Sequence, residues 1–209
     1  MAVDGVMDAS ALWSFVLYAV VTSITPGPNN VMVTACGLNF GFRRTLPAVL
    51  GIGFGFGVMV FLVGLGMGVL LSASGALFET VRWLGIAYLL YLAYGLATAG
   101  TSDMDGSVAQ PWGFLPAALF QWVNPKAWIM IMGAVVAYTS PQSGATTFLL
   151  IACVYALVGI PCVAVWALMG DALRHVLSDA HKVRWFNLAM AALLVWSVWG
   201  TIKESLGLA

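Results

Sequence analysis

Six apolar runs, at 11–39, 46–72, 77–98, 113–138, 146–169 and 185–202, take up most of this chain. Each reaches or approaches the ~20 residues that cover a ~30 Å hydrocarbon core at 1.5 Å of rise per residue. Of the 209 residues, 62% are hydrophobic and only 8% are charged, too few polar groups to clothe a soluble domain. Alternating segments of about ten residues, the mark of a membrane β-barrel, are absent. The sequence predicts an all-α integral membrane protein with six transmembrane helices.

The first run is expected to be a retained span. Asp4 and Asp8 precede it, with no Lys or Arg to make the basic region of a signal peptide. Six spans put both termini on one side. The segments joining spans 1–2, 3–4 and 5–6 carry Arg43, Arg44, Arg174, Lys182 and Arg184, whereas the other side holds Arg82 and Lys203. That excess places the first set in the cytoplasm and both termini outside.

The runs divide into two sets of three. Val81-Arg82-Trp83-Leu84-Gly85 opens the third, and Val183-Arg184-Trp185-Phe186-Asn187 opens the sixth, 102 residues later; Pro26 and Pro125 are 99 apart. A repeat of three spans must enter the membrane in the opposite sense the second time, which gives a 3+3 inverted repeat with its site at the interface of the halves. Residues 1–98 form the first repeat, 99–112 a polar cytoplasmic linker, and 113–209 the second repeat. Together they make one membrane domain.

Two strings interrupt spans 1 and 4: Thr25-Pro26-Gly27-Pro28-Asn29-Asn30 and Asn124-Pro125-Lys126-Ala127. Pro26 and Pro28 disfavour helix at the residues before them, so the first helix should stop near Ile24 and restart at Pro28. Asn124 is a good N-cap and Pro125 a good first-turn residue, so span 4 also restarts there. Lys126 falls near mid-membrane, where a lysine costs roughly 2.5–3.5 kcal/mol on insertion scales and its stem is too short to reach either surface. Taken alone, Pro-Gly-Pro can be a packing kink, and Asn-Pro-Lys a re-entrant loop or interfacial turn. Their equivalent positions in the two repeats favour a site, because non-helical backbone is tolerated at depth only where protein or a polar cavity surrounds it.

The inverted topology aims two half-helix N-termini at one depth, with Lys126 between them. Such ends attract anions. Lys126 and the two N-termini are expected to hold a carboxylate, while freed carbonyls and the oxygens of Asn29, Asn30, Gln121 or Asn124 accept from an amino group. A free amino acid satisfies both.

Other features point to packing. Gly51-Ile52-Gly53-Phe54-Gly55-Phe56-Gly57 lies inside an apolar run with no preceding strand, so it is no nucleotide loop. Gly51/Gly55, Gly53/Gly57 and Gly64/Gly68 suit small-residue helix contacts, within the chain or across a homodimer. Trp13, Trp83, Trp112, Trp185 and Trp199 lie near run ends and suit interfacial belts. Cys36, Cys153 and Cys162 form no CxxC and are read as packing residues, which argues against a thiol-redox or zinc site. His175 and His181 read as solvated loop residues. No cofactor or metal is expected, and zero net charge suggests no nucleic-acid partner. An intramembrane enzyme would need a nucleophile–base pair or metal cluster that the spans do not supply. Asp171, near the inner end of span 5, is a candidate for ion coupling, with Arg43, Arg44 or Arg174 as possible partners.

On these residues the chain resembles the LysE/RhtB family of bacterial amino-acid exporters. The likeness runs nearly end to end, through Thr25 to Asn30, Gly41-Phe42-Arg43-Arg44, Gly51, Gln121-Trp122-Val123-Asn124-Pro125-Lys126-Ala127 and the basic 5–6 loop. The Pro-Gly-Pro-Asn-Asn, Gly-Phe-Arg and Gln-Trp-Val-Asn strings look most like the cysteine/O-acetylserine exporter branch. The resemblance implies gradient-driven efflux of amino acids, often assigned to proton antiport. Many relatives carry aspartate where this chain has Asn29, so the resemblance points away from cationic cargo and toward neutral zwitterions. The resulting expectation is an alternating-access exporter of small neutral amino acids, with a passive channel or an exporter of another small metabolite as the alternatives.

Overall fold

The computed structural model describes residues 7–67, 75–98, 111–140, 142–177 and 179–205. Eight α-helices account for most of them: α1 Ala9–Ile24, α2 Pro28–Phe40, α3 Phe42–Leu62, α4 Gly75–Thr98, α5 Phe114–Phe120, α6 Pro125–Tyr138, α7 Ala145–Val176 and α8 Ala180–Ser205. A π-helical turn, Val63–Met67, extends α3, and a 3₁₀ turn, Gln121–Val123, extends α5. No strand occurs among the described residues. Asp4 and most of the 99–112 linker lie outside them.

The described part of every apolar run is mainly helical, but the runs do not all make continuous spans. Among the described residues, four helices are long and apolar enough to cross a membrane: Phe42–Gly66, Glu79–Thr98, Ala145–Val176 and His181–Gly200. Helices α1 and α2 meet at 55° and count as a fifth if the bent pair is one span. The fourth run is split at Asn124 into two shorter apolar stretches, Phe114–Val123 and Pro125–Tyr138. The physical reason is local. Proline removes an N–H and disfavours helix at the residue before it, so each helix must stop and be capped anew.

The caps follow from the sequence. Asp8 caps α1, its carboxylate accepting from Ala11 N and Ser10 Oγ, both at 2.8 Å. Those bonds, the Ala11 N–H first, hold its carboxyl below the usual aspartate value. Gly41 alone separates α2 from α3 and has φ +81°, a left-handed conformation that favours glycine. Arg43 and Arg44 therefore sit in the first turn of α3 rather than in an open loop.

Helix α7 lies at the centre, packed on α1, α2 and α3; α3 also packs on α5, and α4 on α8. Several contacts bring backbones together. A Cβ at Gly37 would overlap the Ala167 carbonyl, one at Gly170 the Thr34 carbonyl, and ones at Gly51 and Gly55 the backbones of Phe114 and Ala118. Gly53 faces Ile160, and Gly64 faces Phe148. These glycines serve helix contacts within the chain; Gly68 lies outside the described residues. Trp13, Trp83, Trp185 and Trp199 are exposed, as an interfacial position requires. Trp112 is not: it is buried and donates from Nε1 to Tyr88 Oη at 3.2 Å, because the chain entering α5 folds inward onto α4.

The buried side chains form two apolar clusters. One gathers Val33, Val49, Leu89, Phe120, Ala167 and Leu194. The other gathers Phe15, Ala19, Phe56, Met59, Ile131, Ile151 and Tyr155. Both helix breaks fall at the seam between them.

Candidate functional site

The two breaks share one cavity. It encloses ≈ 430 Å³ of empty space, including the part open to solvent. Thr22 and Ser23 line it from α1, Gly27 from the first break, and Asn29 and Asn30 from α2. Gln121 and Asn124 line it at the second break, followed by Lys126, Ala127 and Met130 of α6. Ile52 and Phe56 of α3 and Gly159 and Val163 of α7 complete an apolar wall. Polar groups that are distant in sequence thus converge on a mostly apolar pocket, the usual form of a small-molecule site.

At the first break, α1 ends at Ile24 and α2 begins at Pro28, with Gly27 as N-cap. No side chain caps α2. Val31 N bonds to Gly27 O, while the Asn29 and Asn30 N–H groups have no partner among the described residues. This is an open, positive helix end.

The carbonyl end of α1 is, by contrast, fully engaged. Asn30 Nδ2 donates to Ser23 O (2.9 Å) and Thr25 O (2.8 Å). Trp166 Nε1 of α7 donates to Ile24 O at 2.9 Å. Lys126 Nζ donates to Thr25 O (2.6 Å), Thr25 Oγ1 (3.0 Å) and Pro26 O (3.2 Å). Gly27 leaves room beside it: a Cβ there would lie 2.6 Å from Lys126 Cδ and 3.0 Å from Nζ, so the lysine stem would have to shift.

The second break is closed differently. Asn124, 1% exposed, caps α6 by accepting from Lys126 N at 3.1 Å, and Ala127 N bonds to Asn124 O. Trp128 Nε1 covers Trp122 O at 2.8 Å. Pro125 has no N–H to satisfy, so α6 offers no unpaired first-turn donor.

An amide pair ties the breaks together. Asn29 Nδ2 donates to Gln121 Oε1 (2.9 Å), and Gln121 Nε2 donates back to Asn29 Oδ1 (3.1 Å) and to Ala117 O (2.8 Å). Asn30 is 2% exposed, and its Oδ1 is buried without a hydrogen-bond partner. Its orientation is set by Nδ2, because a flipped amide would point its oxygen at the carbonyls of Ser23 and Thr25. A buried acceptor left open beside a cavity is a place for a ligand's donor.

The structure therefore brings together Gly27, Asn29, Asn30, Gln121, Asn124 and Lys126 on the cavity. Thr25 and Pro26 supply oxygens to Lys126, and Pro28 and Pro125 start the half-helices. The sequence directs Lys126 and two open N-termini at a carboxylate. In the structure one N-terminus is open and one capped, and the ammonium sits on the carbonyl end of α1. The physical reason is reach: the lysine stem crosses from α6 to the freed carbonyls, the negative pole of a helix. Asp171 lies away from the cavity, where a Cβ on Gly41 would be 3.3 Å from its Oδ1, and it makes no ion pair with Arg43, Arg44 or Arg174. Thr22 and Ser23, in the last turn before the break, could have been found from their position in the sequence. Ile52, Phe56, Met130, Gly159, Val163 and Trp166 carry no such local signal.

Comparison with known proteins finds relatives over nearly the whole chain. The cysteine/O-acetylserine efflux proteins of Salmonella typhimurium (strain LT2) and Salmonella paratyphi A (strain ATCC 9150) are each 30% identical to the chain over 191 residues, which is 91% of this chain and 95% of theirs. That of Escherichia coli (strain K12) is 29% identical over 191 residues, 91% and 96% of the two chains. No solved structure matches. The profile of the LysE type translocators matches residues 20–197, a stretch that contains both breaks and every residue lining the cavity. The chain belongs to the LysE type translocator family and is a transporter, not an enzyme.

Proposed function

We propose that this protein exports small neutral amino acids or their derivatives, cysteine and O-acetylserine among them, from the cytoplasm by alternating access. The observation that carries the reading is the unpartnered Asn30 Oδ1 beside the open N-terminus of α2, in a cavity between two broken helices. The N–H groups of Asn29 and Asn30, at the positive end of α2, take the substrate carboxylate. Asn30 Oδ1 and the carbonyl end of α1 take the amino group. Gln121 holds Asn29 in place, and Ile52, Phe56, Met130 and Val163 face the side chain. Among the described residues, no carboxylate lines the cavity to balance a cationic side chain.

The architecture in this reading is a 3+3 inverted repeat, residues 1–98 and 113–209 joined by 99–112, in the bacterial inner membrane with both termini outside. Reciprocal packing supports it: α1 lies on α7 as α5 lies on α3, while α3 meets α7 and α4 meets α8. Exchanging the halves maps these contacts onto one another, whereas the packing of α2 on α7 has no comparable counterpart between α6 and α3. A homodimer would use surfaces other than the glycines already packed within the chain.

Proteoliposomes loaded with labelled L-cysteine, O-acetyl-L-serine or L-lysine test the function. The two neutral compounds are expected to leave faster than lysine and to be moved uphill by an imposed gradient, which a passive channel does not do. Lys126→Ala is expected to abolish gradient-driven export while inserting normally. Wild-type export by that variant would overturn the assignment of the cavity as the transport site.

A further inference from the structure

The lysine of this cavity sits where a cation is wanted, not where an anion is. Its three contacts, Thr25 O, Thr25 Oγ1 and Pro26 O, match the three N–H donors of an ammonium. They form the carbonyl end of α1, the negative pole of that helix. Asn30 Nδ2 shares the Thr25 carbonyl at 2.8 Å, so the unpartnered Asn30 Oδ1 lies within one amide group of the same oxygens. A substrate amino group drawn to Asn30 Oδ1 arrives at a cradle that Lys126 already fills.

Among the described residues, Lys126 is also the one ionisable side chain lining the cavity. Of the groups on the elements packed around it, Tyr18 of α1 and Tyr155 of α7 both donate to Met130 O, at 3.2 and 3.1 Å. Cys36 of α2 is buried in the other apolar cluster, and Tyr138 ends α6 beside Ser14. Helix α3 and the Gln121–Val123 turn bring no charge to the cavity, and Asp171 is by Gly41.

Linkage gives two roles for this lysine opposite signs. If Lys126 paired with the substrate carboxylate, proton and substrate would favour each other's binding and travel together. An exporter driven by inward proton flow needs each to exclude the other. We propose that the amino group of the transported amino acid and the protonated Lys126 compete for the cradle of Thr25 O, Thr25 Oγ1 and Pro26 O, so that binding one substrate expels one proton. This rests on the cavity being the substrate site.

The protons balance. As the substrate ammonium takes the cradle, like-charge repulsion at low dielectric favours the neutral amine, and Lys126–NH₃⁺ gives one H⁺ to cytoplasm-facing water. After the substrate leaves on the outer side, the amine takes one H⁺ there and returns to the cradle charged. Each cycle moves one amino acid out and one proton, with its positive charge, in.

The test is proton release on binding. Wild-type protein in weakly buffered detergent solution, with a pH indicator, is titrated at neutral pH with L-cysteine and with O-acetyl-L-serine; about one proton released per amino acid bound is expected. Lys126→Arg stays charged and is expected to bind at least ~10-fold more weakly, where a carboxylate-pairing role would leave binding near wild type. In proteoliposomes, acid outside is expected to accelerate export by the wild type, and Lys126→Gln is expected to give the same flux with and without the gradient. Binding without proton release by the wild type overturns the competition and leaves the substrate site standing. Failure of both amino acids to bind overturns the site itself.

Discussion

The amide pair between Asn29 and Gln121 is the place where the two halves of the site can be weighed against each other. Asn29→Ala leaves Gln121 Oε1 without its donor, on a side chain that is 0% exposed and fixed by a 2.8 Å bond to Ala117 O. An orphaned buried acceptor costs about 1–3 kcal/mol. Gln121→Ala leaves the Asn29 amide on the cavity, where water can reach it. The loss is then the net worth of three bonds, the pair to Asn29 and the one to Ala117 O, about 0.5–1.5 kcal/mol each, plus the packing of the missing stem. In the double variant Gln121 Oε1 is itself gone and cannot be orphaned, so the combined loss should fall short of the sum by about 1–2 kcal/mol. Reversible unfolding of the four proteins in detergent measures this coupling. Losses that add to within about 0.3–0.5 kcal/mol would refute the bridge, because independent sites behave that way.

Three further outcomes follow from the packing and the chemistry. Gly37→Ala forces α2 away from the Ala167 carbonyl and should lower stability by about 1–3 kcal/mol, whereas Gly95→Ala, in open space within α4, should raise it by roughly 0.5–1 kcal/mol; thermal unfolding of the two variants gives the comparison. Trp166→Phe removes the donor to Ile24 O and should cost about 0.5–1.5 kcal/mol, with faster amide exchange confined to the last turn of α1. Asn29→Asp places a carboxylate on the cavity and should make L-lysine an effective competitor of neutral amino-acid export; no gain in lysine competition would show that this position does not select substrate charge.

The breaks were legible because their causes act within one helical turn. Pro26 and Pro28 end α1 at Ile24 and start α2 at Pro28, and Asn124 with Pro125 restarts α6, as the local chemistry requires. The polar lining residues Asn29, Asn30, Gln121 and Lys126 could likewise be picked out as amides and an ammonium in the wrong solvent. Their partners could not. Lys126 bonds to Thr25, 101 residues away, and Trp166 to Ile24, 142 residues away. Nothing in the periodicity of α7 marks Trp166 as a cap. Trp112, near the end of an apolar run, looks like a belt residue and is instead packed against Tyr88.

Composition and short-range backbone chemistry thus suffice for a helical membrane protein with two broken helices and a lysine between them. Whether those breaks are open or closed is decided by packing. Asn124 caps its own helix, so α6 has no free donors; Gly27 cannot cap, so α2 keeps two. The ammonium, with no carboxylate in reach, takes the nearest negative end that folding brings to it, the carbonyls of α1. Helix breaks are written in neighbouring residues, but hydrogen-bond partners in a membrane interior are chosen by which helices meet, because a buried donor must find its acceptor wherever the fold puts one.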